Sequence, residues 1–195
     1  MASAGRRPGP TTTREEIREA ARQLFAERGY HATTVRAIAA RAGVNPALVH
    51  HHYGSKEQVF AAALALPFNP VDVLRDVIAT GPRDEVADRL VRFFVRAWRS
   101  PDTGPALQSA LRGAVATEEG TTTLRQFAEG VLVPFAAAAL GIPAVRVAAA
   151  VSHLLGFALV SAIVGVEPLR SAPEDEVVAL YVPGIRRLLQ GSAEQ

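Results

Sequence analysis

Three clusters of side chains in this 195-residue chain are of the types that do chemistry. His50-His51-His52 offers three imidazoles in a row, the raw material of a metal site. Ser152-His153 puts a hydroxyl beside an imidazole, two parts of a nucleophilic triad. Glu174-Asp175-Glu176 brings together three carboxylates, as acid–base catalysis requires. None has the spacing its chemistry needs. Neighbours on a helix point about 100° apart, so neither the three histidines nor Ser152 and His153 converge on one ion or atom. The carboxylates follow Pro173 and open a helical pattern, where negative charge offsets the macrodipole. The chain contains no G-x-S-x-G elbow, Walker loop, G-x-G-x-x-G or H-E-x-x-H. An enzyme is therefore not expected, nor a metal or cofactor. His153, within an apolar run, reads as a core histidine, with a ligand-pocket role as the alternative.

A fourth group has a spacing with a clear use. Residues 35–54 follow the pattern of a helix-turn-helix. Ala39 falls where two helices cross and only a small side chain fits. Gly43, four residues on, is able to adopt the left-handed conformation of the sharp turn. Ile38, Ala42, Val44 and Val49 take the inward positions, leaving Arg36, Asn45, His50 and His51 outward. His52 is expected to pack inward under the corner. A second helix held this way presents its N-terminal side chains to a DNA major groove. Charge supports the assignment. Residues 1–60 hold nine Arg or Lys against five Asp or Glu and four of the five histidines, while the remainder is net acidic.

The elements that position these residues are helices throughout. Thr13 to Arg28 carries Ile17, Ala20, Ala21, Leu24 and Phe25 at helical spacing, with Thr13 and Glu16 as capping box and Gly29 as stop. Val35 to Ala42 follows, capped by Thr33 or Thr34. Asn45-Pro46 opens the next helix, since Asn is a good N-cap and proline lacks only an N–H not needed there. Ser55 and Gln58 cap a fourth helix, to about Leu66. Further helices are predicted near 71–79, 84–99, 104–117, 121–140, 144–165 and 174–190. Val86, Leu90, Phe93, Phe94, Ala97 and Trp98 form a stripe on one of them. Pro134 and Pro183 are expected to kink their helices. The fold class is all-α, with a disordered basic arm over 1–12, a helix-turn-helix domain over 13–62 and a larger helical domain over 63–195. The arm lacks the apolar run of a secretory leader, and the chain has no Cys. A cytoplasmic protein is expected.

The stretch Gly29-Tyr30-His31-Ala32-Thr33-Thr34-Val35-Arg36-Ala37-Ile38-Ala39-Ala40-Arg41-Ala42-Gly43-Val44 and its continuation Asn45-Pro46-Ala47-Leu48-Val49-His50-His51-His52-Tyr53-Gly54-Ser55-Lys56-Glu57 closely resemble the TetR family of bacterial regulators. The resemblance covers residues 13–62, a third of the chain. It departs at His50, where the family commonly has an aromatic, and at His52-Tyr53, where Tyr-Phe is frequent. The resemblance implies a homodimer on double-stranded DNA. Arg36 would reach a base edge, guanine for preference. Asn45, Pro46 and Ala47 would lie where base contacts begin, and His50 and His51 would touch bases or phosphates. Thr34 and Lys56 would hold the backbone. Lys56 is the only lysine in the chain, in the first turn of a helix whose N–H groups add to its field.

For residues 63–195 the resemblance implies a mostly apolar cavity for an unknown small-molecule effector. Trp98, Gln108, Leu111, Arg112, Phe127 and His153 are its candidate lining. It also implies dimerisation through the last two helices. Small residues recur along 147–166, at Ala149, Ser152, Gly156 and Ser161, and the candidate interface is Ala149, Ser152, Gly156 and Val160. That stretch is long enough to span a bilayer, but a subunit interface explains it better than a membrane does. A ligand-responsive DNA-binding regulator, most often a repressor in families of this kind, is the expected function. The alternative is a small-molecule-binding adaptor with vestigial DNA-binding heads.

Overall fold

The computed structural model describes residues 12–190, so residues 1–11 of the expected arm lie outside the described residues. Among the described residues every regular element is helical. Helix α1 runs Thr13–Ala32. Its capping box sits one residue earlier than expected. The Thr12 hydroxyl accepts from the Glu15 N–H at 3.4 Å, and the Glu15 carboxylate accepts from the Thr12 N–H at 3.3 Å. With three threonines before two glutamates, two registers satisfy the pattern, and the earlier adds a helical residue. Gly29 kinks α1 without ending it, at φ 73° and ψ 178°, a region open only to glycine. The buried Thr33 hydroxyl lies 2.8 Å from the Gly29 carbonyl and 3.0 Å from that of Leu24, serving the oxygens that the kink frees.

Helices α2 (Val35–Ala42), α3 (Pro46–Tyr53) and α4 (Lys56–Ala63) complete the N-terminal head. Gly43 is left-handed at φ 68°, and the Val44 N–H donates to the Ala39 carbonyl, closing α2. Asn45 and Ser55 cap α3 and α4 as expected. Helix α4 ends at Ala63 rather than Leu66, and Ala65 takes a left-handed φ of 54°. Pro67 and Pro70 then prevent an early restart.

Helix α5 (Pro70–Ala79) leads through a 3-10 turn (Arg83–Glu85) to α6 (Val86–Arg99), α7 (Gly104–Ala116) and α8 (Glu118–Phe127). A π-helical turn (Ala128–Leu132) joins α8 to α9 (Val133–Leu140). The predicted helix over 121–140 is thus a longer one carrying a π turn, not a simple kink. Pro134 has no N–H for the Gly130 carbonyl and its ring crowds that oxygen, which a widened turn relieves. Helix α10 (Ala144–Ala158) ends in a second π turn (Leu159–Val164). The short α11 (Glu167–Ser171), which periodicity did not reveal, precedes α12 (Glu174–Leu189). Helix α12 continues through Pro183 without a break.

The C-terminal core forms where α12 packs against both α6 and α10. Ala87, Val91 and Val95 face Leu154, Phe157, Val178 and Ile185. Of the predicted stripe, Val86, Ala97 and Trp98 are buried, whereas Leu90, Phe93 and Phe94 are only half-buried and the fully buried line shifts to Val91 and Val95. The acidic triplet opens α12, and two of its members reach α6. Glu174 pairs with Arg96 and Asp175 with Arg92, both at 2.7 Å. Arg146 donates to the carbonyls of Arg187, Leu188 and Gln190, supplying a cation where α12 leaves its last acceptors. The head has its own core of Ile17, Leu24, Phe25, Ile38, Val49 and Phe60, but that cluster also takes in Val71 and Phe127 from beyond residue 63.

Candidate nucleic-acid interface

Helix α3 is held over α1 by two side chains one turn apart. Val49 is 1% exposed, and Tyr53 donates its hydroxyl to the Arg14 carbonyl at 2.7 Å, with the Arg14 guanidinium over its ring. His52 is only half-buried, because Val49 and Tyr53 occupy the inward positions. Tyr53 is a positioning residue that the sequence pattern did not single out. Its signal was its i,i+4 relation to Val49.

With that face anchored, Thr34, Arg36, Asn45, Pro46, Ala47, His50 and His51 are all exposed on the α2–α3 corner. The two arginines of α2 have different situations. Arg41 is forked on Glu27 at 2.7 and 2.8 Å, whereas Arg36 has no carboxylate partner among the described residues. The guanidinium of Arg36 therefore keeps its planar fork for another acceptor. Asn45 uses its side-chain oxygen on the Ala47 N–H at 2.8 Å, leaving its amide N–H groups outward. The Thr34 hydroxyl similarly accepts from Ala37 N–H at 3.1 Å. His50 Nδ1 lies 2.8 Å from the Gly54 carbonyl, which only accepts. That nitrogen carries a proton, and Nε2 is left to face outward.

Lys56, half-buried, places its ammonium 4.2 Å above the Tyr30 ring. Burial lowers its pKa, opposed by the charge of Glu57. Tyr30 donates to Glu57 at 3.1 Å, and burial first, then the Glu57 charge, pushes the phenol well above its ordinary range. Burial works against the Glu57 carboxylate too. Hydrogen bonds from Ser55, from its own backbone N–H and from Tyr30, together with the Lys56 charge, outweigh it and hold the group below its ordinary value. Tyr30, Lys56 and Glu57 thus form one bonded unit beside the N-terminus of α4.

The six cavity candidates do not all come together. Trp98 is buried beside Leu107, with Leu111 packed on the same cluster and Gln108 half-buried on α7. Arg112 is exposed. Phe127 lies in the head's core. His153 is exposed, with Nδ1 2.9 Å from the Ala149 carbonyl, so the core reading of this residue is corrected. An apolar sequence neighbourhood does not bury every position of a helix whose outer face is unpacked. An open groove of about 480 Å³ runs along α6, lined by Phe68, Arg89, Arg92, Phe93, Arg96, Ala97, Ser100 and Thr103, none of them among the residues expected to line a cavity. Ala149 and Gly156 on α10 are half-buried, while Ser152 on α10 and Val160 in the following π turn are exposed. They share the surface with Leu155, Leu159 and Val164, and α12 adds Leu180 at 67% exposure. Ala144–Val164 is also long and apolar enough to cross a membrane, with mean hydropathy 2.2 in its most apolar window.

Comparison with known proteins agrees with this geometry. Residues 17–63 match the family described as bacterial regulatory proteins, tetR family, and residues 84–189 match the tetracyclin repressor-like C-terminal domain. The HTH-type transcriptional repressor AcnR of Corynebacterium glutamicum is 45% identical over 53 residues, 27% of this chain and 28% of that protein. The HTH-type transcriptional regulator BetI of Rhizobium meliloti is 34% identical over 113 residues, 54% of each chain. The match therefore spans little more than a quarter to about half of these curated relatives. A crystal structure of a TetR-family regulator from Streptomyces coelicolor A3 is 36% identical, covering 95% of this chain and 99% of that one, with a TM-score of 0.52. With its helix-turn-helix head and its helical C-terminal domain both matched, the chain belongs to the TetR family of DNA-binding transcriptional regulators.

Proposed function

We propose that this protein is a repressor that binds a roughly palindromic operator as a homodimer and is released by a small, largely apolar molecule. The observation that carries the reading is the exposed corner of Arg36, Asn45, Pro46, Ala47, His50 and His51, backed by the buried Val49 and Tyr53. Arg36 reads a base edge, guanine by preference, and the start of α3 lies in the major groove. His50 Nε2 and His51 meet bases or phosphates. Thr34 and Lys56 hold the backbone and set register. The units are the head over 13–62 and a dimerisation and effector domain over 63–195. The exposed apolar face of α10 and α12 supports a two-fold interface, since a second copy would remove Leu159, Val160, Val164 and Leu180 from water. Ala149, Ser152 and Gly156 let the partner helix approach. The groove along α6 is the effector site best supported by shape, with Phe93 and Ala97 as its apolar wall. An effector acts by binding one arrangement of the heads better than the other.

Selection from a pool of random duplexes at physiological salt tests the reading. An enriched inverted repeat is expected. Retention without sequence preference, at low salt as well, would refute operator recognition.

A further inference from the structure

The head meets the rest of the molecule at two places of different character. One is the covalent connection at 64–69, irregular and carrying a left-handed alanine. Beside it α5 adds only Val71 and a 3.2 Å bond from Gln58 to Asp72. The other is the contact of α1 and α4 with α8 and its π turn. Phe127 enters the head's core, stacked on Phe60 at 4.5 Å and edge-on to Tyr30 at 5.4 Å. The Thr123 hydroxyl, 6% exposed, lies 2.8 Å from the Glu119 carbonyl and 3.2 Å from that of Phe25 in α1. Gln126 packs against the kink in α1. A Cβ on Gly29 would sit 2.0 Å from its Oε1, which is buried and has no hydrogen-bond partner. One turn on, the His31 ring lies against Gly130, where a Cβ would be 2.1 Å from its Cε1. The Gly29 kink thus lies against the end of α8 and the last turn of α1 against the π turn, which lets the two segments close together.

We infer that Phe127, Thr123 and Gln126 are positioning residues for DNA reading. They clamp the head to α8, so that the stance of α8, and not the 64–69 connection, sets where α3 stands. The reason is packing. An aromatic ring inside another unit's core has few alternative positions, whereas an irregular connection resists little. A shift of α8 carries the head with it.

This inference rests on the operator-binding reading, so its test has one arm with DNA and one without. The variants are Phe127→Leu, which keeps an apolar filler, and Thr123→Val, which keeps shape and removes the hydroxyl. Ala65→Gly relieves the left-handed backbone there and widens the conformations open to the connection alone. On inverted repeats whose spacer is changed by one or two base pairs, wild type is expected to discriminate sharply. Phe127→Leu and Thr123→Val should discriminate roughly fivefold less, with half-site preference unchanged. Mere loss of stability would reduce active protein without changing spacer preference. In hydrogen exchange, amides of 17–63 should exchange roughly fivefold faster in both variants while those of α6 and α12 hold. Ala65→Gly should match wild type in both arms. Unchanged spacing preference and head exchange in the clamp variants, or loosening by Ala65→Gly alone, would overturn the clamp. If wild type selects no inverted repeat, the operator reading fails and hydrogen exchange still decides the clamp.

Discussion

Arg36 and Lys56 are both basic and close to the reading corner, yet their surroundings predict different losses. Arg36 is exposed and unpaired by any carboxylate among the described residues, while Lys56 sits over Tyr30 at the start of α4. Arg36→Ala should cost about 1–3 kcal/mol on the selected operator and relax preference at one base pair. Lys56→Ala should weaken binding to all duplexes alike and flatten the dependence on salt. Fluorescence anisotropy on the operator and its single-base variants, across a salt series, separates the two. Tyr30 supports a prediction in pH. Burial and then Glu57 raise its folded-state pKa above the ordinary 10.0. The stabilisation of its neutral form is therefore complete below that value and is lost as pH rises past it. Urea unfolding from pH 8 to 11 should show wild type losing stability above pH 10 relative to Tyr30→Phe, which has no proton to lose. Parallel curves for the two proteins would refute this.

At the scale of elements, capping residues and glycines were legible in the sequence because their signals are local. Asn45, Ser55 and Gly43 mark ends that the structure places where the pattern did. The π turns were not legible, since a 3.6-residue periodicity contains no sign of an inserted residue. The acidic start of α12 shows how little some visible contacts contribute. Asp175 reaches Arg92 at 2.7 Å but is 87% exposed. Solvent and salt screen such a pair, so Asp175→Asn should change unfolding free energy by about 0.5 kcal/mol or less. Chemical denaturation at low and high salt measures it, and a loss above about 1.5 kcal/mol would show a network stronger than the exposure implies.

For the whole molecule, the decisive surface is the apolar face of α10 and its π turn beside α12. Leu159 is 46% exposed and Leu180 67%, apolar side chains that the proposed dimer would take out of water. A charge there would be buried unpaired in the proposed dimer at a cost of several kcal/mol. Leu159→Glu is expected to sediment as a folded monomer and to lose operator affinity at least tenfold, as each half-site then binds alone. An unchanged dimer in analytical ultracentrifugation would place the interface elsewhere.

Residues 29–57 by themselves determined the helix-turn-helix, its outward polar row and most of its inward face, with Tyr53 missed and His52 misplaced. Each depends on contacts between neighbours in the chain, through caps, turns and a short helical period. Tertiary structure alone decided that Phe127 belongs to the head, that His153 faces outward, and that the groove along α6 contains none of the residues predicted for a cavity. These depend on how helices distant in sequence rotate about their axes. An apolar stripe specifies that a face is covered, but several helices of similar composition are able to cover it, and only their joint packing selects one.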